Sequence, residues 1–323
     1  MAVTALGLSA CGSSSRTGSS SSPRVPRPAT LGLDFTPNAV HAGIYAAVAR
    51  HYDLAQGVRL HVIAPSASTD SVKLLEAGRA DFAILDIHDL AIARERGADI
   101  VGIMAIVQRP LAAVIAQPQI HNPRQLQGKL AGVSGLPSDT AVLDSEVAGA
   151  GGNPSRVRTI TIGFNAVPDL LAGRVAGATA FWNDEGQAIR SKEPGFHIFR
   201  VDDYGAPAYP ELVLCATASS LVHRSMLAFD VVHALVRGYR FTVAHPATAA
   251  AELEAQVPGL NSSLVSAELA KLEPAFTAPG AGVGQLNLPV LKRWARWETR
   301  FGIVKRAPDV SRAFNRHFLG GLA

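Results

Sequence analysis

The chain has 323 residues, 48% of them hydrophobic and 17% charged, which excludes a disordered chain and exceeds what one minimal core needs. Its 30 basic against 26 acidic side chains leave a net charge of +4 with no dense Lys/Arg stripe, so the balance does not point to a nucleic-acid partner. Two cysteines, Cys11 and Cys215, exclude a disulfide-stapled fold, and no apolar run reaches the ~18–20 residues of a membrane-spanning helix.

Residues 1–11 form an apolar stretch ending in small residues, as at the end of an export signal. Leu8-Ser9-Ala10-Cys11 resembles the lipobox of bacterial lipoproteins, which implies lipidation of Cys11. No basic stretch precedes it, which points to a start codon set too late. Residues 12–28 are rich in Ser, Gly and Pro and read as a flexible tether with a reach of roughly 20–25 Å. Residues 1–28 are thus expected to anchor the protein to the outer face of a membrane without spanning it.

From residue 31 short β-type runs alternate with helical periods. Strands are expected at 31–36, 58–63, 81–85, 100–107 and 111–116, with helices at 41–50, 69–77 and 88–96 between them. Further strands are expected at 130–134, 157–162, 176–181, 197–201 and 211–216, and helices at 138–148 and 166–172. Beyond these the pattern turns helical, at 228–244, 263–272 and 288–301. This alternation predicts an α/β fold with mostly parallel sheets. Leu74–Ala83 and Leu170–Ala178 echo each other as an apolar helix end, a Gly and a strand start, which suggests two similar lobes.

Several residues at expected strand ends could bind a ligand, since open α/β sheets hold ligands at their carboxyl edges. Phe35 can stack on a ring, Asn38 can give and take hydrogen bonds, and His41 can point into a cleft. The same residues also fit a core Phe and a turn Asn. Asp86 reads first as a helix N-cap, which explains it fully, with a ligand contact at the same sheet edge as the sharper alternative. The glycines of 132–135 and the helix start at Ser138 could hold a polar or anionic ligand group, or Ser138 could simply cap. Trp182 and Glu185 end another strand, and Tyr204 and Tyr209 lie on a Gly/Pro loop that could line a cleft or brace it. The run Asp86–Asp89 does not put three metal ligands on one face, so no metal site is expected. At 291–301 basic and aromatic residues interleave, but Leu291, Trp294, Trp297 or Glu298, and Phe301 fall on one stripe, as in a docking helix. Cys215 reads as a small buried hydrophobe.

The stretch Leu33-Asp34-Phe35-Thr36-Pro37-Asn38 with His41, Gly43 and Tyr45 resembles the opening signature of solute-binding proteins that deliver thiamine pyrimidine precursors to ABC importers. Gly78–Ile84, Leu126–Val133, Pro137-Ser138-Asp139 and Phe181–Gly186 also match, so the resemblance spans about 31–245. Phe35 stands where that family usually has Trp. The resemblance implies the two-lobe, type 2 periplasmic-binding-protein fold, with lobe 1 at 29–108 plus 215–323 and lobe 2 at 109–214, crossing near 108–111 and 212–215. It further implies a small-molecule ligand held without a cofactor by stacking on Phe35 and Trp182 and by Asn38, His41 and Glu185. The ligand would then pass to an ABC permease and its ATPase. Riboflavin, sulfonates and taurine are alternative ligands within the superfamily. Fungal pyrimidine synthases are distant relatives that use pyridoxal phosphate near the first helix and a cysteine-rich motif. Here no lysine precedes Lys73 and the two cysteines are scattered, so an enzyme is not expected.

Overall fold

The computed structural model describes residues 1–3, 25–65 and 70–321. Cys11 and nearly all of the tether therefore lie outside the described residues. The strands are, in chain order, β1 (Arg27–Gly32), β2 (Val58–Ile63), β3 (Phe82–Asp86), β4 (Ile100–Ala105), β5 (Ala112–Ala116), β6 (Leu130–Val133), β7 (Arg158–Thr161), β8 (Gly177–Phe181), β9 (His197–Arg200) and β10 (Leu212–Thr217). They form two five-stranded sheets, ordered β2-β1-β3-β10-β4 and β7-β6-β8-β5-β9. In the first, β1 is parallel to β2 and β3, while β10 is antiparallel to β3 and β4. In the second, β6 is parallel to β7 and β8, while β5 is antiparallel to β8 and β9. Each sheet is mixed, with four strands running one way. The reversed strand is in both cases the one that enters from the other sheet.

The sequence echo marks equivalent places. Gly78 and Gly173 take φ values of 64° and 68°, the left-handed region that glycine enters without a Cβ clash. Each ends a helix and leads to the third strand of its sheet, β3 or β8. β3 and β4 are nearly continuous apolar runs, as strands covered on both faces must be.

One expected strand is displaced: β1 covers Arg27–Gly32 rather than 31–36, so residues 27–28, expected to end the flexible tether, already pair with β2. β1 stops at Gly32, and residues 33–36 leave the sheet as a loop. Leu33 N–H still reaches the Ile63 carbonyl at 2.8 Å, but the Ser71 hydroxyl takes the Leu33 carbonyl and His41 takes Asp34. These side-chain bonds replace the ladder. The chain then makes a short 3-10 turn at Ala39–His41, capped by Asn38, and enters the helix Ala42–Ala49.

That helix crosses the 20-residue helix Ser225–Ala244 where two glycines meet. A Cβ on Gly238 would stand 2.0 Å from the Gly43 carbonyl oxygen, and one on Gly43 would stand 2.3 Å from the Tyr239 ring. The Tyr239 hydroxyl donates to the Val40 carbonyl at 2.9 Å, locking the turn that carries Asn38 and His41. The C-terminal helix Leu288–Arg300 buries Leu291, Trp294, Trp297 and Glu298 against the first sheet's layer, while Arg293, Arg296 and Arg300 stay exposed. This is the docking stripe its spacing predicts. Cys215 is buried in β10, and burial pushes its thiol far above the usual range.

Candidate functional site

The carboxyl ends of β1, β3, β6 and β8 face one another across a cavity of about 90 Å³. That is room for a small organic molecule rather than a single water. The first sheet's side contributes Asp34, Phe35, Ser71, Asp86, His88 and Asp89; the other contributes Ser138, Asp139, Phe164, Thr179, Phe181 and Glu185. Phe35 meets Phe164 edge-on across the gap, ring centroids 4.4 Å apart. Among the described residues, five carboxyl side chains line the cavity and no Lys or Arg does.

Burial dominates their electrostatics, because a carboxylate loses hydration that nearby acids cannot replace. It pushes Glu185 up to about 8, with Asp184 adding to the shift. It raises Asp89 to about 7 against the pull of His88, and it raises Asp139 and Asp86 as well.

The glycine-containing turn 132–136 does not offer its amides to a ligand anion. The N–H groups of Ser134, Gly135 and Leu136 donate to Asp139 Oδ2 at 2.8, 3.2 and 3.3 Å, and the Ser134 hydroxyl adds a bond of 2.6 Å. The chain fills its own anion site. Ser138 is not the cap, which is Leu136; it lies buried in the cavity wall.

Of the residues singled out from sequence, Phe35, Asp86, Ser138 and Glu185 line the cavity. Asp86 does this while also capping its helix through the His88 N–H at 2.7 Å. Glu185 Oε2 accepts the Phe181 N–H at 3.0 Å, which fixes the carboxyl at the end of β8.

Asn38 and His41 stand one layer behind. Asn38 Nδ2 donates to Asp184 Oδ2 at 2.9 Å, a bond from one sheet's side to the other's. His41 Nδ1 accepts the Asn38 N–H at 3.2 Å, so the ring proton sits on Nε2 and goes to Asp34 Oδ1 at 2.9 Å. His41 therefore acts on the cavity through Asp34.

Trp182, Tyr204 and Tyr209 lie outside the cavity, contrary to expectation. Trp182 is buried against the crossing segment: its indole N–H donates to the Pro110 carbonyl at 2.9 Å, and the Arg200 guanidinium covers its face at 4.2 Å. Its place one residue past β8, bonded through its own N–H to the Leu111 carbonyl, turns the ring towards the crossing. Phe35, Phe164 and Phe181 supply the cavity's aromatic surface instead. Tyr204 packs edge-on against Phe199. Tyr209 is wholly buried, its hydroxyl 3.1 Å from His88 Nε2.

Sequence reasoning missed Asp34, Asp89, Asp139, Thr179 and Phe164. Asp34 and Asp139 were visible as acids beside motifs already noted. Phe164 sits in a loop with no local signal, and Thr179 is a strand residue whose buried hydroxyl has no partner among the described residues.

Asp86, His88 and Glu211 bring ligand-type atoms within 4.8 Å of one another. They do not make a metal centre, because His88 Nδ1 is taken by Glu298 and Nε2 by Tyr209. Burial opposes a charge on His88, yet Glu298 and Asp86 outweigh it and raise the imidazole to about 10. His88 is thus an imidazolium with no lone pair to give.

Residues 38–249 match the family described as NMT1/THI5-like. The chain belongs to the NMT1/THI5-like family. Among this member's relatives is the formylaminopyrimidine-binding protein of Halalkalibacterium halodurans, 28% identical over 217 residues; the match spans 66% of each chain. Its fold is that of the alkanesulfonate-binding protein SsuA of Xanthomonas axonopodis, with a TM-score of 0.72 at 16% identity over 90% of this chain and 99% of that one. The periplasmic nitrate-binding protein NrtA of Synechocystis aligns with a TM-score of 0.71 at 9% identity, over 91% and 87%. This NMT1/THI5-like chain therefore has the periplasmic-binding-protein fold, and the three proteins just compared are named as binding proteins.

Proposed function

We propose that the protein captures a small amino-bearing aromatic heterocycle of the thiamine pyrimidine precursor class and delivers it to an ABC permease and its ATPase. The observation that carries this reading is the cavity lined by Asp34, Asp86, Asp89, Asp139 and Glu185, with Phe35 and Phe164 in contact in its wall and no Lys or Arg among the described lining residues. Carboxyl groups accept from N–H donors, and a protonated ring nitrogen beside an amino group makes a charge-assisted pair with a carboxylate. Aromatic rings in the wall suit a planar heterocycle. The name of the Halalkalibacterium relative supports the same ligand class.

Sulfonates and taurine fit poorly. Their anionic group would meet raised, acid-rich walls, and the turn amides that could receive it already hold Asp139. Anchoring through a lipidated Cys11 belongs to the same reading, since a tethered capture protein stays near its permease. Isothermal calorimetry tests the ligand class: a 4-aminopyrimidine should bind and an alkanesulfonate should give no heat. The reverse result overturns the reading. The C11S variant should leave the membrane fraction while keeping its ligand affinity.

A further inference from the structure

Glu211 is wholly buried behind the cavity floor, just before β10. Its Oε2 accepts the backbone N–H groups of Leu111 at 2.7 Å and Ala112 at 2.8 Å. Its main-chain carbonyl accepts the Ile87 N–H at 2.8 Å. One residue on the returning crossing thus holds both the outgoing crossing and the first turn of the helix that follows Asp86.

The second carboxylate oxygen is the anomaly. Glu211 Oε1 is buried with no donor among the described residues. His88 Nε2 lies 3.5 Å away, but it is closer to Tyr209. The Asp86 carboxyl lies within 4.8 Å of the Glu211 carboxyl, within reach of a side-chain hydrogen bond to it. Two adjacent buried carboxyls do not both ionise readily, and an orphaned buried acceptor is costly. A single proton on Asp86, donated to Oε1, removes both penalties. Glu211 is the member that keeps its charge, because two backbone amides face its Oε2; burial raises it too, with His88 and those amides pulling the other way. Asp86 has only the His88 amide, and burial together with Glu211 raises it well above the usual carboxylate range although His88 pulls the other way.

We propose that Asp86 and Glu211 share one proton, with Glu211 as the positioning residue, so that Asp86 turns an acceptor oxygen to the ligand and selects an amino-bearing edge over an oxo-bearing one. The proposal rests on the aminopyrimidine reading above. The charged and titratable groups around the pair are His88 and Asp89 from the same helix, Glu298 behind His88, and Asp34, Asp139 and Glu185 across the cavity. None except His88 can supply the missing proton as a cation, and its two N–H groups are committed. With its own O–H spent on Glu211, Asp86 favours a ligand N–H and repels a carbonyl lone pair.

Calorimetry with 4-amino-2-methylpyrimidine and 2-methyl-4-pyrimidinone tests the selection, and carbon-13 NMR of the ligand-free protein tests the proton. Wild type should prefer the amino compound by about tenfold or more, the value of a hydrogen bond to a buried acceptor. D86N should keep that preference, because its amide N–H replaces the O–H towards Glu211 and leaves the carbonyl for the ligand. D86L should lose it. At neutral pH the Asp86 carboxyl should resonate as a protonated acid, and E211Q should return it to the carboxylate position. An ionised Asp86 in wild type, or an undiminished preference in D86L, overturns the proposal. Wild type that binds neither compound overturns the aminopyrimidine reading instead, and the carbon spectrum then decides the shared proton by itself.

Discussion

The two sheets carry the same wiring on unequal foundations. Both place a second strand, a first, a third, the intruding strand and a fourth in that order. Around the first sheet, the long C-terminal helices bury Trp294, Tyr239 and Phe276 completely. Around the second, the apolar residues divide into two small clusters, one including Val114, Leu143 and Phe199, the other Ile115, Leu170 and Phe196. Its edge strand β7 exposes all four residues. Topology is therefore shared, while the buried apolar area that stabilises each lobe is not. The first sheet's side acts as the platform, and the second is a thin layer hung from two crossings.

Overpacking one glycine in each half gives the sharpest contrast and the largest effect. Gly238→Ala would drive a methyl into the Gly43 carbonyl, and Gly149→Ala would do the same to the Tyr204 carbonyl, each at 2.0 Å. Backbone on both sides leaves little room to yield, so about 3 kcal/mol or more is expected for Gly238→Ala. That variant should lower the whole denaturation midpoint. Gly149→Ala should instead accelerate hydrogen exchange in 130–200 before the first sheet responds. Equal exchange across both halves in the Gly149 variant would mean that the lobes melt as one unit.

How much of this was legible beforehand depended on whether the information was local. The strand–helix alternation, the docking stripe of Trp294 and Trp297, and the Gly78/Gly173 echo are periodic or positional signals, and they survive in the fold. β1 ended early because the hydroxyl of Ser71 and the ring of His41 competed for residues 33–34, and no run of apolar letters carries that. Trp182 was misplaced for a related reason. Its ring direction is set by the Pro110 carbonyl, which lies 72 residues away in sequence. Asp86 and Glu185 stood out at strand ends, but Asp34, Asp89 and Asp139 had adequate local explanations as cap or turn residues; only their convergence on one cavity distinguishes them.

The shared cavity makes the next prediction one of pH. A Glu185 carboxyl raised to about 8 holds its proton in the native state at pH values where the unfolded chain has lost it. Stability should therefore fall as pH rises from about 4.5 towards 8. His88, raised to about 10, adds to the same slope above its ordinary value. The ligand-free protein should melt at a higher temperature at pH 5 than at pH 8. Glu185→Gln, which keeps an acceptor for the Phe181 N–H, should flatten the slope and add on the order of 2 kcal/mol at pH 8. It should also weaken an amino-bearing ligand, a trade of binding for stability. An unchanged slope would show that Glu185 ionises as freely in the folded chain as in water.

The smallest effect concerns how the halves hold each other. Asn38 does two separable jobs: Oδ1 caps the turn through the Val40 N–H at 2.9 Å, and Nδ2 reaches Asp184 at 2.9 Å. Asn38→Ser keeps a cap of similar quality but is too short to reach across. The melting temperature should barely move, while ligand affinity falls by about three- to tenfold, the worth of one hydrogen bond to a carboxyl group. Asp184 is held near 7 by burial and by Glu268, with Asn38 pulling the other way, so losing Asn38 favours its protonated form. Asn38→Asp replaces the donor with a second acid and should cost more affinity than Ser does, with the difference narrowing below pH 6 as the pair gains a proton. Calorimetry at two pH values with small-angle scattering of the ligand-free variants measures this directly. If Ser, Asp and wild type bind alike and scatter alike, the Asn38–Asp184 bond is incidental to closure, and the halves are held by the Phe35–Phe164 contact and the crossings alone.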